Sequence, residues 1–404
     1  FMEFSIIKNK DVTKGEEMSN KREKKKWSTK KKVVATLVSI VALFLIIVLG
    51  YVAYVFGTYH RIPDKQKLSI NKPASSQNAN SSETGESKNV KTLDTSKLTK
   101  NKEYKIGTYN VGFGAYTPTY SFFMDGGKYS RCFSKQSGID AINGAADYAM
   151  EEKPDFMIFQ EVDRKSTRSY HVNQENLITE KFANYYEDFA VNYDSAYLFY
   201  PFNEPIGKSY SGIAFYSKYL ITSAVRRSFP ISTSFSKILD LDRCYSVSRI
   251  PADGGKELVV YSVHMSAYGN SDEIREGQTS MLFNDMKEER QKGNYVICGG
   301  DFNHNLKLDE NDNAEHEGWA YPFPRSKMPK ELSFAMDQLS KDKYDSLAPS
   351  NRNTDMEYIK GKTFTCILDG FIISDNVQMT DYTIKDNGFK YSDHQPVFMS
   401  FKLK

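Results

Sequence analysis

The chain has 404 residues, 40% of them hydrophobic and 14% aromatic, enough for one large domain with appendages or two smaller ones. Its net charge of +3 is unevenly spread: residues 1–32 carry +6, residues 33–100 carry +4, and residues 101–404 carry −7. The basic character belongs to the tail, so the body lacks the electrostatic footprint of a protein that holds polyanions by charge alone.

Residues 1–20 carry no structural signal, and Met18-Ser19-Asn20-Lys21 reads as the expected start of translation. A basic tail, 1–32, holds Lys21-Arg22-Glu23-Lys24-Lys25-Lys26 and Lys30-Lys31-Lys32. Residues 33–56 then run from Val33 to Phe56 without a charge, long enough at about 1.5 Å per residue to cross a hydrocarbon core of about 30 Å. A cleaved signal peptide has a shorter apolar region, of about 7–15 residues, ending in a small-residue site. This run instead closes on Tyr51, Tyr54 and Phe56, as an interfacial aromatic belt does. We therefore expect an uncleaved single-pass signal anchor. Its upstream lysines place the N-terminus in the cytoplasm and the rest of the chain outside the cell membrane. Residues 57–101 are rich in Ser, Asn, Lys and Thr and read as a disordered linker.

Residues 102–404 alternate strand and helix signals without another linker. Strands are expected at Tyr104–Val111, Phe156–Phe159, Ile213–Tyr216, Leu258–Val263, from Tyr295, and near Leu368–Ile373 and Pro396–Phe401. Ile139, Ile142, Ala145, Ala146 and Ala149 have helical spacing, with a stop before Pro154, and Ser271–Lys292 reads as a second helix. Some connections are short enough for antiparallel pairing, which favours a mixed-sheet α/β or α+β architecture. None of Cys132, Cys244, Cys298 and Cys366 forms a Cys-x-x-Cys pair, so no zinc cluster is indicated. Cys132 and Cys244 share matching contexts and could pair in an oxidising compartment.

The chemistry gathers at strand ends. The apolar run Tyr295-Val296-Ile297-Cys298 leads through Gly299-Gly300 to Asp301 and Asn303. Asn110 closes the first strand, Glu161 the second, and His264 follows Tyr261-Ser262-Val263. Asp369 opens Gly370-Phe371-Ile372-Ile373, and Asp393-His394 precede the last strand. Any one of these could be an ordinary turn residue. Six together, offering carboxylate and amide oxygens with few His and no clustered Cys, suit Mg²⁺ or Mn²⁺ rather than Zn²⁺.

The motifs Gly300-Asp301-Phe302-Asn303 and Ser392-Asp393-His394-Gln395-Pro396-Val397, in this order, resemble the endonuclease/exonuclease/phosphatase superfamily across about 300 residues. The resemblance implies a four-layer sandwich of two mixed β-sheets flanked by helices, preceded here by one transmembrane helix. It implies metal-site roles for Asn110, Glu161 (the direct ligand) and Asp393. It implies phosphate-contacting or proton-transferring roles for His264 and His394. Asp301 would act on the attacking water, Asn303 would hold a phosphate oxygen, and Asp369 would orient His394. The segment Phe364-Thr365-Cys366-Ile367-Leu368 lacks the Arg that many relatives carry just before that Asp. Arg131, Arg168 and Arg243 are candidate phosphate-binding residues, since guanidinium forks match phosphate oxygens. The substrate expected is a phosphoester, with nucleic acid ahead of phospholipid or a small phosphoester. A non-catalytic binding module is the remaining class, and no protein partner is implied. The aromatic loop Tyr116–Phe123 could contact an interface.

Overall fold

The computed structural model describes residues 27–74, 96–232, 234, 237, 241–266, 272–308 and 320–404. The translation start at Met18, the first lysine cluster, the middle of the expected linker and Ser271 lie outside these residues. The chain divides into two units, 1–54 and 55–404. Helix α1 (Thr29–Thr58) covers the whole apolar run and is long and apolar enough to cross a membrane.

Two seven-stranded sheets make up the larger unit. One has the order β1 (Gln66–Lys67), β7 (Ser223–Ser228), β8 (Cys244–Ala252), β9 (Lys256–His264), β10 (Tyr295–Asp301), β14 (Asp369–Ser374) and β11 (Leu332–Phe334). The other has the order β15 (Val377–Ile384), β16 (Val397–Leu403), β3 (Glu103–Asn110), β4 (Phe156–Asp163), β6 (Tyr210–Ser217), β5 (Tyr186–Asp194) and β2 (Ile70–Asn71). Both are mixed, with β9–β10 and β3–β4 parallel and their other neighbours antiparallel. A two-stranded ribbon, β12 (Asn351–Arg352) with β13 (Thr365–Cys366), stands apart from them.

Strand periodicity explains the layers. Along β4, Phe156 and Ile158 enter a central cluster with Tyr245, Tyr261, Ile297 and Phe371 of the opposite sheet. Met157 and Phe159 point the other way, into a cluster with Ile142, Ala145, Ala146 and Ala149 of helix α2 (Lys135–Glu151). Each successive residue changes face, so a strand buried on both faces reads as a continuous apolar run. Ser134 caps α2 by accepting from the Ser137 backbone N–H at 3.0 Å. A short helix, α3 (Gln174–Lys181), adds Ile178 to the same outer layer. Helix α4 (Asp272–Gln291) brings Leu282, Phe283 and Met286 into the cluster built on the β10 sheet. The architecture is the expected four-layer α/β sandwich.

One expectation needs correction, and two open readings are decided. The linker predicted over 57–101 is built into the domain at both described ends. The Ile62 backbone N–H donates to Asp242 Oδ2 at 2.5 Å, β1 pairs with β7, and β2 pairs with β5. Leu98 is fully buried, its N–H bonded to the Pro251 carbonyl at 2.8 Å. A polar composition hid these short edge pairings, because backbone ladders need no apolar side chains. Cys132 and Cys244 do not pair: all four cysteines are free and buried, and Cys132 Sγ lies 3.4 Å from the Phe113 carbonyl. The Tyr116–Phe123 loop is largely turned inward, with Tyr116 and Tyr120 buried. Arg352 holds it there by donating from Nη2 to the carbonyls of Tyr116 at 3.1 Å and Thr117 at 2.9 Å.

Candidate active site

Strand register lines up the chemistry. Asp301 ends β10 directly opposite His264 of β9 on one side and Asp369 of β14 on the other. In the second sheet Asn110 pairs with Gln160, which puts Glu161 one residue further along. A β-bulge interrupts the β4–β6 ladder between Phe159 and Val162, and Glu161 within it has φ 55°. Bulges re-aim side chains out of the strict alternation, and a positive φ at a non-glycine residue marks local strain. Asn303 has φ 52°, beyond the end of β10.

One side chain ties the two sheets together. Asn110 Nδ2 donates to Glu161 Oε1 and to Asp301 Oδ2, each at 3.1 Å, while its Oδ1 accepts from the Gly112 N–H at 3.0 Å. Asp301 Oδ1 accepts from the Asn303 N–H at 2.8 Å, and Asn303 Nδ2 donates to the Met265 carbonyl at 2.9 Å. His264 Nε2 is 3.6 Å from Asp301 Oδ2 and 4.0 Å from Glu161 Oε1. His394 Nε2 approaches the same Asp301 oxygen at 3.8 Å. His394 Nδ1 lies 2.7 Å from Asp369 Oδ2, which also accepts from Ser350 Oγ at 2.7 Å.

The electrostatics separate these groups into roles. Burial pushes the Asp301 carboxyl up to about 7, with His394 pulling it down and Asp369 adding to the rise. Burial and the neighbouring Glu161 outweigh His394, taking Asp393 up to about 6. Burial opposes a charge on His394, yet Asp369, Asp393 and Asp301 overcome it and hold the imidazole well above its usual range. His264 is held well below that range by burial and by the charges of Arg243, His394 and Arg168. The surroundings thus favour the charged form of His394 and the neutral form of His264.

The donor set fits a hard cation in two adjoining places. Glu161 and Asp393 are carboxylates close enough for one to raise the other, a repulsion that a divalent ion would relieve. Asp301, Asp369 and His394 offer ligand atoms all within 4.8 Å of one another, and the buried Asp369 Oδ1 has no hydrogen-bond partner among the described residues. Either group supplies chemistry suited to a metal.

All but one of the expected residues meet in or behind one cavity of about 260 Å³, whose walls include Glu161, His264, Asp301, Asn303, Asp393 and His394. Asn110 and Asp369 stand behind that wall, bonded to its members. The three arginines part company. Arg131 Nε donates to the Pro205 carbonyl at 2.7 Å and is not a wall residue. Arg168 reaches the wall but forms a two-pronged pair with Asp163, at 3.0 and 3.1 Å, and stacks on Phe113 with 3.9 Å to the ring centre. Arg243 lines the cavity, and its Nε and Nη1 have no hydrogen-bond partner among the described residues.

Four further residues escaped the sequence reading. Asn192 lies 3.4 Å from His264 Nδ1, and the Asn351 amide lies 3.0 Å from His394 Nε2. Ser350 braces Asp369, and Arg352 lines the cavity. Only the clustering of three of them in Ser350-Asn351-Arg352-Asn353, ahead of Asp369, gave a signal.

Residues 107–359, more than half of the chain, match the Endonuclease/Exonuclease/phosphatase family. The chain belongs to this family. Its members are phosphoester hydrolases that depend on a metal, and the second metal-compatible group described above lies in the corresponding fold. Asp369, Asp393 and His394 lie beyond the matched segment and reach the site through β14 and the approach to β16. Among solved structures, the chain is similar to D. rerio TDP2 complexed with a single-strand DNA product, at 15% identity and TM-score 0.50 over 75% of this chain and all of that one. It is also similar to a family protein from Leptotrichia buccalis, at 16% identity and TM-score 0.48, covering 74% of this chain and 100% of that one. A third is a family protein from Beutenbergia cavernae, at 14% identity and TM-score 0.47, covering 74% and 72%. No curated protein matches the chain.

Proposed function

We propose that this chain is a membrane-anchored, extracytoplasmic, Mg²⁺-dependent phosphodiesterase that cleaves nucleic acid. Mn²⁺ is the alternative ion. The observation that carries the hydrolytic reading is the Asn110 amide bridging Glu161 and Asp301, which joins the carboxylate side of the site to the water-activating side. Glu161 and Asp393 would hold the cation, with Asn110 orienting Glu161. When bound, the cation would supply Lewis acidity to a phosphate oxygen.

The chain's own groups account for the rest. Asp301, held in place by the Asn303 N–H and the Asn110 amide, orients a water and receives its proton. A carboxyl raised by burial is a better base near neutral pH than an exposed one. Asn303 and neutral His264 donate to phosphate oxygens. His394, kept cationic by Asp369, stabilises the charge that develops on phosphate and can protonate the leaving oxygen.

Nucleic acid leads as substrate because the similar D. rerio protein is recorded with a single-strand DNA product. The uneven charge of the chain supports a second reading, a phospholipid or other amphiphile, since the body from residue 101 on carries −7. So do the exposed rings of Phe199, Tyr200 and Phe202 between β5 and β6. The full chain in detergent, given Mg²⁺ and offered plasmid DNA, single-stranded DNA, RNA, sphingomyelin and inositol phosphates in parallel, separates them. Truncation at residue 102 is unsuitable because it removes β1, β2 and Leu98. Protease protection in intact cells tests the orientation: the 102–404 region should be digested from outside.

A further inference from the structure

Arg243 and Arg131 sit in almost the same local sequence, Arg-Cys-aromatic-Ser, yet their surroundings differ. Arg243 immediately precedes β8, whose Tyr245 pairs with Val263 and whose Ser246 pairs with Ser262. That register brings Arg243 alongside the end of β9, where His264 stands. Its backbone carbonyl accepts from the Phe229 N–H at 2.9 Å, fixing the chain at this point. The residue is only 8% exposed.

A cation that deeply buried ordinarily has a carboxylate or carbonyls around it, because desolvating an unpaired charge is costly. Arg168, in the same cavity wall, has Asp163. Arg352 has a ring of loop carbonyls. Arg243 Nε and Nη1 have no partner among the described residues. The acid beside it in sequence, Asp242, is taken up elsewhere: by the Ile62 N–H at 2.5 Å, and by Arg61 and Arg226 at 3.7 Å each. Arg243 stands in the wall of a cavity whose other polar walls include Asn192, His264 and Asn303. Those are neutral donors, and the carboxylates Glu161 and Asp393 belong to the same cavity.

We propose that Arg243 also binds the substrate's phosphate, donating its unpartnered N–H groups to a non-bridging oxygen of the phosphoester. Arg131 and Arg168 do not serve this purpose, since one is turned to a carbonyl and the other is neutralised. The inference rests on the phosphoester reading above and narrows it to an anionic substrate gripped from the β8 side. A guanidinium is suited to the task because charge-assisted hydrogen bonds to phosphate are strong and directional.

The test is titration of the full chain in detergent with inorganic phosphate, with and without Mg²⁺, followed by calorimetry. Arg243→Gln should weaken phosphate binding at least tenfold, Arg243→Lys should fall between, and Arg131→Gln should leave it unchanged. Thermal unfolding of Arg243→Gln should occur no lower than that of the parent, since no pairing is lost; a structural role would lower it. Where a cleaved substrate is found, KM should rise at least tenfold in Arg243→Gln while kcat changes less than threefold. Equal phosphate affinity in the parent and Arg243→Gln, or no phosphate binding by the parent, overturns the proposal. Arg243-dependent phosphate binding without cleavage of any phosphoester would uphold this site and refute the hydrolase reading instead.

Discussion

Asp369 Oδ2 lies 2.7 Å from His394 Nδ1, and both groups are almost fully buried. The carboxylate fixes which imidazole nitrogen bears the proton and favours the cation. Asp369→Asn preserves shape but replaces that charge with a neutral amide. We expect kcat to fall by about 10²–10⁴-fold, the range of a mis-set general acid or base, with the fold intact. Circular dichroism together with single-turnover kinetics checks both halves.

Metal removal should abolish hydrolysis, and added Mg²⁺ should restore it. Glu161→Gln keeps the hydrogen bond from Asn110 within reach but removes one of the two facing carboxylate charges. It should raise the Mg²⁺ concentration needed for half-maximal rate by about tenfold or more, in line with losing a charged ligand contact. A metal titration of parent and variant measures it.

Gly300 has φ 147°, and a Cβ there would meet the Val263 carbonyl oxygen at 2.0 Å. Because β9 and β10 are paired at this point, the backbone has little room to yield. Gly300→Ala should destabilise the domain by about 3 kcal/mol or more, as strain at a special backbone position does. Urea unfolding of the full chain in detergent reads the loss.

Asp188 is a buried carboxyl on β5 that accepts from Ser248 Oγ of β8 at 2.6 Å. Burial raises it from 3.8 to about 7. The folded state therefore holds a proton that the unfolded chain releases between these values. Its contribution is fully present below about pH 4 and is lost as pH rises to about 7. Asp188→Asn should flatten that part of the stability profile and stabilise the protein at pH 8 by about 4 kcal/mol, on roughly 1.4 kcal/mol per unit. Chemical denaturation at pH 5 and pH 8 decides it.

The central strands were readable because their apolar runs are buried on both faces, and β10 announced itself through Gly299-Gly300-Asp301. β8 was not readable: Ser246 and Ser248 are fully buried in a strand that looks polar. β5 hid Asn192 in the same way. The strands β1 and β2 were invisible because backbone pairing at a sheet edge leaves no apolar pattern. Arg131 and Arg243 show the limit most sharply. Their neighbours in sequence match, and only the tertiary surroundings assign one to a loop carbonyl and leave the other open. Ser350 and Asn351 act through contacts with Asp369 and His394, which no local pattern encodes.

The most direct test of the account is phosphodiester hydrolysis by the full chain in detergent with Mg²⁺, compared with Asp301→Ala and His394→Ala prepared identically. The account predicts turnover on at least one of DNA, RNA or a phospholipid, and loss of at least about 10³-fold in each variant. Near-parental turnover in either variant, or none on any phosphoester by a folded parent enzyme, contradicts it.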